Sequence, residues 1–186
     1  MDNKYKSRLK TKYEDETAGK LVSEFSIENK MAIPKVSKVI VNSGLGDMSK
    51  NKELIKTATR DFAIITGQKP SIRRAKLSVA SFSLRQGQPV GLKTTLRKDK
   101  MYDFLDRLFS ITFPRLRDFR GLSKNSFDEN ANYTMGIEEH TVFSEIDLSK
   151  TTKPFGLEVT IVTNTKKKEE ALKLLELMGM PFEKEE

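Results

Sequence analysis

Between Phe62 and Lys98 the chain carries eight basic residues and no Asp or Glu. The bases are Lys69, Arg73, Arg74, Lys76, Arg85, Lys93, Arg97 and Lys98. The other 26 Lys and Arg of the 186-residue chain balance its 26 acids, so this one window carries the whole net charge of +8. Surface charge on a soluble domain normally mixes both signs. A one-sided segment raises a strong local positive potential and draws polyanions; the plainer reading is a solvated basic loop. The residue types suit RNA. Arg and Lys pair with phosphates, while Gln68, Ser78, Ser81, Thr94, Thr95 and Asn42 can reach sugar hydroxyls and base edges.

Other chemistry is sparsely provided for. With no cysteine there is no disulfide framework and no thiolate ligand or nucleophile. His140 is the sole histidine, whereas metal sites gather several His or Cys ligands and a Ser/His/Asp triad would need this same residue. His140 is therefore expected to be structural or on the surface. The stretch VNSGLGDMSK, residues 41–50, has the strand, Gly-x-Gly and helix layout of a dinucleotide loop. Ser49 stands where the third glycine belongs, and the acid required further on would fall inside the acid-free window. Gly44 and Gly46 read more simply as a tight turn where backbone approaches a helix or a ligand closely. Glu169 and Glu170 lie among lysines on a solvated helix. No catalytic residue, metal, cofactor or small-molecule substrate is expected. The N-terminal MDNKYKSRLKTKYEDE lacks the apolar core of a signal peptide, and no apolar run is long enough to span a membrane. The expected location is cytoplasmic.

Helical spacing over residues 1–29 is closed by Pro34, before which the chain avoids the helical region. KVSKVIVNSG (35–44) reads as a strand. Leu54, Ile55, Ala58, Phe62 and Ile65 mark a helix over 50–65 that Gly67 stops. Residues 70–74 form a short strand, 75–88 a long hairpin loop and PVGLKTTLR (89–97) a second alternating strand. Alternation turns Lys93, Thr95 and Arg97 to one side and Leu92, Thr94 and Leu96 to the other. Asp99 is a suitable N-cap for a helix over 100–113, which Pro114 breaks. PRLRDFRGLS (114–123) is an Arg-rich loop, strands fall within 132–143 and 155–164, and the last helix covers 166–178. This order predicts one α+β domain over 1–186, a two-layer sandwich. Its mostly antiparallel sheet has helices on one face and an open RNA-binding face, with a long basic loop at about 73–88. Such an open polar sheet suits a folded RNA better than the DNA major groove, since no helix-turn-helix is present.

In their order along the chain, PKVSKVIVNSGLGD (34–47), ITGQKPSIRRAKLSVASFSLRQGQPVG (65–91), TLR (95–97), FLDRL (104–108), PRLRDFRGLSKNSFD (114–128), NYTMGI (132–137) and MPF (180–182) cover nearly all of it. By these motifs the chain closely resembles the family of the fifth protein of the bacterial large ribosomal subunit, which binds 5S ribosomal RNA. The resemblance implies a structural protein of the central protuberance, with 5S rRNA and large-subunit rRNA as partners. Asn42, Gly44, Gly46, Gln68, Lys69, Thr95 and Arg97 would contact 5S rRNA, beside the Lys93 that alternation adds. Arg73, Arg74, Lys76 and Arg85 would face P-site transfer RNA from the loop. Arg115, Arg117 and Arg120 would either bridge to a protein of the small-subunit head or hold local structure. Neighbouring large-subunit proteins are further implied partners. Where the family commonly reads FDGRGNY this chain has FDENANY (127–133), so a turn needing positive φ would be reshaped there. The acidic tail beyond MPF is expected to be disordered. Two rival classes are an RNA-binding regulator or chaperone acting outside the ribosome, and a nucleotide-dependent enzyme built on the Gly44–Gly46 turn.

Overall fold

The computed structural model describes residues 6–116 and 119–183. The first five residues of the expected N-terminal helix, and the tail beyond 183 expected to be disordered, lie outside the described residues. Among the described residues, helix begins with α1 (Arg8–Lys12), a π-helical turn (Tyr13–Thr17) and α2 (Ala18–Phe25). α2 ends where Ser26 turns left-handed at φ 50°, well before Pro34. This left-handed serine is the αL-type cap that more often falls to glycine. β1 is Val36–Gly44, α3 Lys52–Thr66, β2 Ser71–Arg74 and β3 Pro89–Leu96. α4 (Lys98–Arg107) runs through a second π-helical turn (Leu108–Thr112) into α5 (Phe113–Arg115). β4 (Tyr133–Ile137), β5 (Leu157–Thr163) and α6 (Lys168–Met178) follow. Arg97, not Asp99, is the N-cap of α4. Asp99 instead lies in the first turn, where its carboxylate accepts from Lys10 at 2.7 Å and suits the helix dipole. Pro114 falls inside α5 as one of its first residues, a position proline tolerates, so helix persists one residue beyond it.

The five strands form one open antiparallel sheet in the order β2-β3-β1-β5-β4, the expected α+β architecture. The chain forms two compact units, residues 1–39 with 97–135 and 160–186, and residues 40–96 with 136–159. In the first unit α1 packs on α4 and α2 on α6. Leu9, Leu21, Phe104, Leu105, Leu174 and Leu175 are among its buried side chains. A cluster of Phe127, Tyr133 and Phe182 closes its far loops, with ring centroids 4.8 to 6.4 Å apart. The turn at 128–132 keeps a positive φ without glycine: Ala131 sits at φ 58°. Asp128 secures it by accepting from the backbone N–H groups of Asn130 and Asn132 and from the Asn132 side chain, at 2.8 to 2.9 Å. These hydrogen bonds, that of the Asn132 side chain first, hold the Asp128 carboxyl below its ordinary range.

In the second unit α3 packs on β3, burying Ala58, Phe62 and Ile65 on the helix side and Leu92 and Leu96 on the strand side. The large side chains among them contribute on the order of 10 kcal/mol together, at about 1.5–3 kcal/mol each. Gly67, at φ 63°, ends α3 in the left-handed conformation. His140 belongs to this core. Its ring is fully buried and stacks on Phe155 with centroids 3.8 Å apart. Its Nδ1 accepts the Phe155 N–H at 3.2 Å, which puts the neutral ring's proton on Nε2. Nε2 faces Asp61 Oδ2 at 3.8 Å, too far for a hydrogen bond, and neither atom has another partner among the described residues. Asp61 is 2% exposed, and its Oδ1 accepts from Nε and Nη2 of Arg60 at 3.1 and 3.0 Å. Burial pushes His140 below its ordinary 6.5, outweighing the opposing pull of the Asp61 carboxylate.

β3 runs tight against β1. A Cβ built at Gly91 would stand 2.9 Å from the Ser43 carbonyl oxygen, a backbone atom that cannot step aside without moving the strand. Ser43 is tied on its other side, its hydroxyl donating to the Gly156 carbonyl at 2.8 Å.

Two outcomes are expected. Gly91→Ala destabilises the fold by about 1–3 kcal/mol through overpacking, measured by denaturant unfolding. The pH dependence follows from His140. Between the folded pKa and 6.5 the unfolded chain binds a proton that the native ring refuses, so this contribution is complete above pH 6.5 and is lost as pH falls below it. The thermal midpoint of the parent chain should therefore drop between pH 7 and pH 5, and His140→Gln should flatten that slope whatever its own midpoint.

Candidate nucleic-acid interface

The predicted alternation of β3 holds. Leu92, Thr94 and Leu96 are buried, while Lys93 and Thr95 are half-buried on the opposite face. Thr94, at 3% exposed, is therefore removed from the polar groups that could meet RNA. β1 alternates likewise, with Val41 and Ser43 buried and Asn42 and Gly44 on the uncovered face. As neighbours in the sheet, β1 and β3 present Asn42 and Gly44 on the same face as Lys93 and Thr95, with strands about 4.8 Å apart. Antiparallel pairing of β2 with β3 sets Ser71 opposite Lys93 and Arg73 opposite Gly91. Directly opposed residues share a face, so Arg73 joins the same surface.

The remaining candidates frame this surface. Gly46, at φ 47°, opens a short 3-10 turn over Gly46–Lys50. That turn separates the glycines from α3, whose N-terminus is capped by Asn51 accepting from the Glu53 N–H at 2.8 Å. A dinucleotide loop needs its glycines to lead directly into a free helix N-terminus, so the geometry speaks against a nucleotide site. Gln68 and Lys69 are exposed in the link from α3 to β2, positioned by the Thr66 hydroxyl, which is 2.9 Å from both the Phe62 and Gln68 carbonyls. Arg97 is exposed just past the end of β3. The side chains of Asn42, Gln68, Lys69, Arg73, Lys93, Thr95 and Arg97 make no hydrogen bond or ion pair among the described residues. This surface therefore presents its polar groups outward without internal partners.

Residues 75–88 extend the β2–β3 hairpin. The Ala75 N–H donates to the Gln88 carbonyl at 2.8 Å, that of Gly87 to the Ala75 carbonyl at 3.0 Å, and Val79 bridges Leu84. Arg74 reaches across with Nη1 to the Gly87 carbonyl at 2.8 Å, and Gln88 Nε2 donates to Ser49 Oγ at 3.1 Å. Arg73, Lys76 and Arg85 are exposed, as are Leu77 at 73% and Phe82 at 79%. The loop thus presents bare cations together with large apolar side chains. In the first unit Arg115 and Arg120 are exposed, while Arg117 lies outside the described residues.

Sequence reading passed over a groove of about 540 Å3 on the uncovered face, lined in part by Asn42, Gly44, Gly136, Glu138 and Glu158. The signal was present in LEVTIVT of β5, whose alternation turns Glu158 outward.

Two family models match this chain, one described as ribosomal protein L5 over residues 29–85 and one as the C-terminus of the same ribosomal protein family over 89–182. Among similar proteins, that of Corynebacterium diphtheriae is 50% identical over 184 residues, covering 99% of this chain and 98% of its own. That of Halothermothrix orenii is 52% identical over 176 residues, covering 95% and 98%. Caldanaerobacter subterraneus provides a third, 48% identical over 178 residues with 96% and 99% covered. Each of the three is named large ribosomal subunit protein uL5. With both halves of its sheet-bearing sequence matched in order, the chain belongs to the ribosomal protein L5 family.

Proposed function

We propose that this protein attaches 5S ribosomal RNA to the central protuberance of the large ribosomal subunit through the uncovered face of its sheet. The family supports the broader part of this reading, a structural and non-enzymatic component of the large subunit in the cytoplasm. The observation that carries the finer part is the set of unpartnered polar side chains on alternate positions of β1 and β3. Asn42, Lys93 and Thr95 face outward from strands, flanked by Gln68, Lys69 and Arg97, and Gly44 and Gly46 let an RNA backbone come close. Phosphate contacts supply affinity, while neutral polar groups and RNA shape supply selectivity. The extended β2–β3 hairpin, with Arg73 and Arg74 at the end of β2 rather than in the loop and Lys76 and Arg85 in the extension beyond it, is suited to P-site transfer RNA. Arg115 and Arg120, with Arg117, would meet a protein of the small-subunit head.

Binding of the purified chain to 5S RNA, and to a transfer RNA of similar size, over a salt series tests the reading. Selective binding to 5S RNA should survive physiological salt. If about five phosphates are engaged, the logarithm of affinity falls with log salt at a slope of about −3.5 to −4.5. Equal, salt-fragile binding to both RNAs would leave only a basic patch. Arg97→Ala should weaken binding to free 5S RNA by about 1–3 kcal/mol. Arg74→Ala should leave that binding intact and act only in the assembled ribosome; equal losses in the two variants would show that the sheet and loop do not divide the work.

A further inference from the structure

The uncovered face is not uniformly basic. β5 lies beside β1, and with Leu157 and Val159 buried, Glu158 turns out onto the surface that holds Asn42 and Gly44. Glu158 is exposed and makes no hydrogen bond or ion pair among the described residues. It lines the groove of about 540 Å3 together with Gly44, Gly136 and a second acid, Glu138.

Those two glycines have no explanation within the fold. Gly44 closes β1 and Gly136 lies inside β4; neither has a positive φ, and a Cβ built on either would meet nothing within 4 Å. Gly91 differs, since packing there does require a glycine. It is pressed against the Ser43 carbonyl, while a Cβ at Gly156 would already touch the carbonyls of Ile137 and Glu138 at an ordinary contact distance of 3.4 Å. A glycine weakens a strand, and one exposed on a strand face where neither conformation nor packing requires it leaves room for another backbone to approach. A free carboxylate beside such glycines repels phosphate, which carries only acceptors on the RNA side. It can be useful only against a donor, and the donors that RNA offers are base amino and imino groups together with the 2′-hydroxyl.

We propose that Glu158 is a base-reading residue. RNA lies close on Gly44 and Gly136, and the Glu158 carboxylate accepts hydrogen bonds from the amino-bearing edge of a base, with Asn42 beside it. Two oxygens match the paired donors of a guanine Watson–Crick edge or the amino group of cytosine. The carboxylate thus rejects RNAs that present phosphate at this point. This rests on the 5S RNA reading above and adds to it a residue that selects among RNAs instead of one that only attracts them.

The experiment compares the full chain with Glu158→Ala, Glu158→Gln and Gly136→Val, each against 5S RNA and against a transfer RNA, at matched salt. Glu158→Ala should lose about tenfold in affinity for 5S RNA, within the range for one base contact. Its affinity for transfer RNA should stay level or rise, so selectivity collapses. Glu158→Gln, with one acceptor left, should fall between. Gly136→Val should lose 5S RNA binding while its thermal midpoint holds, since a Cβ there meets nothing within 4 Å and valine favours a strand. If both Glu158 variants bind 5S RNA as tightly as the parent or more tightly, the carboxylate is a bare surface charge and the inference is overturned. A parent chain that fails to distinguish the two RNAs overturns the underlying reading instead.

Discussion

β3 passes β1 so closely that position 91 has no room for a side chain against the Ser43 carbonyl. That contact holds the two strands in one register, and the pleat then decides which residues face which way. A slip of one residue would turn Lys93 and Thr95 into the helix-covered layer and expose Leu92 and Leu96. Burying Lys93 there without a partner would cost several kcal/mol. The apolar residues on one side of β3 therefore determine the chemistry on the other: Phe62 and Ile65 of α3 seal Leu92 and Leu96, and alternation leaves Lys93 and Thr95 outside. Ser43 ties β1 on both sides, its carbonyl lying against Gly91 of β3 and its hydroxyl donating to the Gly156 carbonyl just before β5.

The alternation was legible in PVGLKTTLR because a period of two is a local property. Chain reversal by conformation was less so. Nothing in the residue type of Ser26 says that it will turn left-handed and end α2, so Pro34 looked like the stop. Ala131 is similar: the loss of a glycine suggested a reshaped turn, whereas the Asp128 hydrogen bonds hold the positive φ at a strain of about 1–2 kcal/mol. What was least legible was what topology brings together. Asp61 and His140 are far apart in sequence, and only their meeting beneath the sheet makes either notable. Glu158 was visibly outward in LEVTIVT, by the rule that placed Lys93. Its relation to Asn42 exists only because β5 lies beside β1, a neighbourhood that no local pattern encodes.

The Asp61–His140 contact also shows how the second unit tolerates polarity in its core. A buried carboxylate alone would be costly, and Arg60 answers one of its oxygens from the half-exposed edge. Keeping His140 neutral avoids adding a second buried charge, and its Nδ1 satisfies a backbone N–H that would otherwise be orphaned beside Phe155. The segment leading into β5 is thereby held to its place by a ring stack and a hydrogen bond, each specific in direction where apolar packing alone is not.

On the proposed reading, the distribution of charge separates two tasks that one basic surface cannot perform. Lysines and arginines attract every RNA alike, because every RNA has the same phosphates, and their contribution fades with salt. Selectivity has to come from groups that favour one RNA over another. Neutral Asn42 and Thr95 do so weakly, since each can both donate and accept. An acid does so strongly, because it penalises a phosphate and welcomes a base donor at the same point in space. The concentration of all the excess positive charge between Phe62 and Lys98 leaves the β5 side of the sheet free to carry Glu158 without forfeiting attraction overall. The acid-free window and the outward acid of β5 are then complementary halves of one surface: the first sets how tightly RNA is held, and the second which RNA is held.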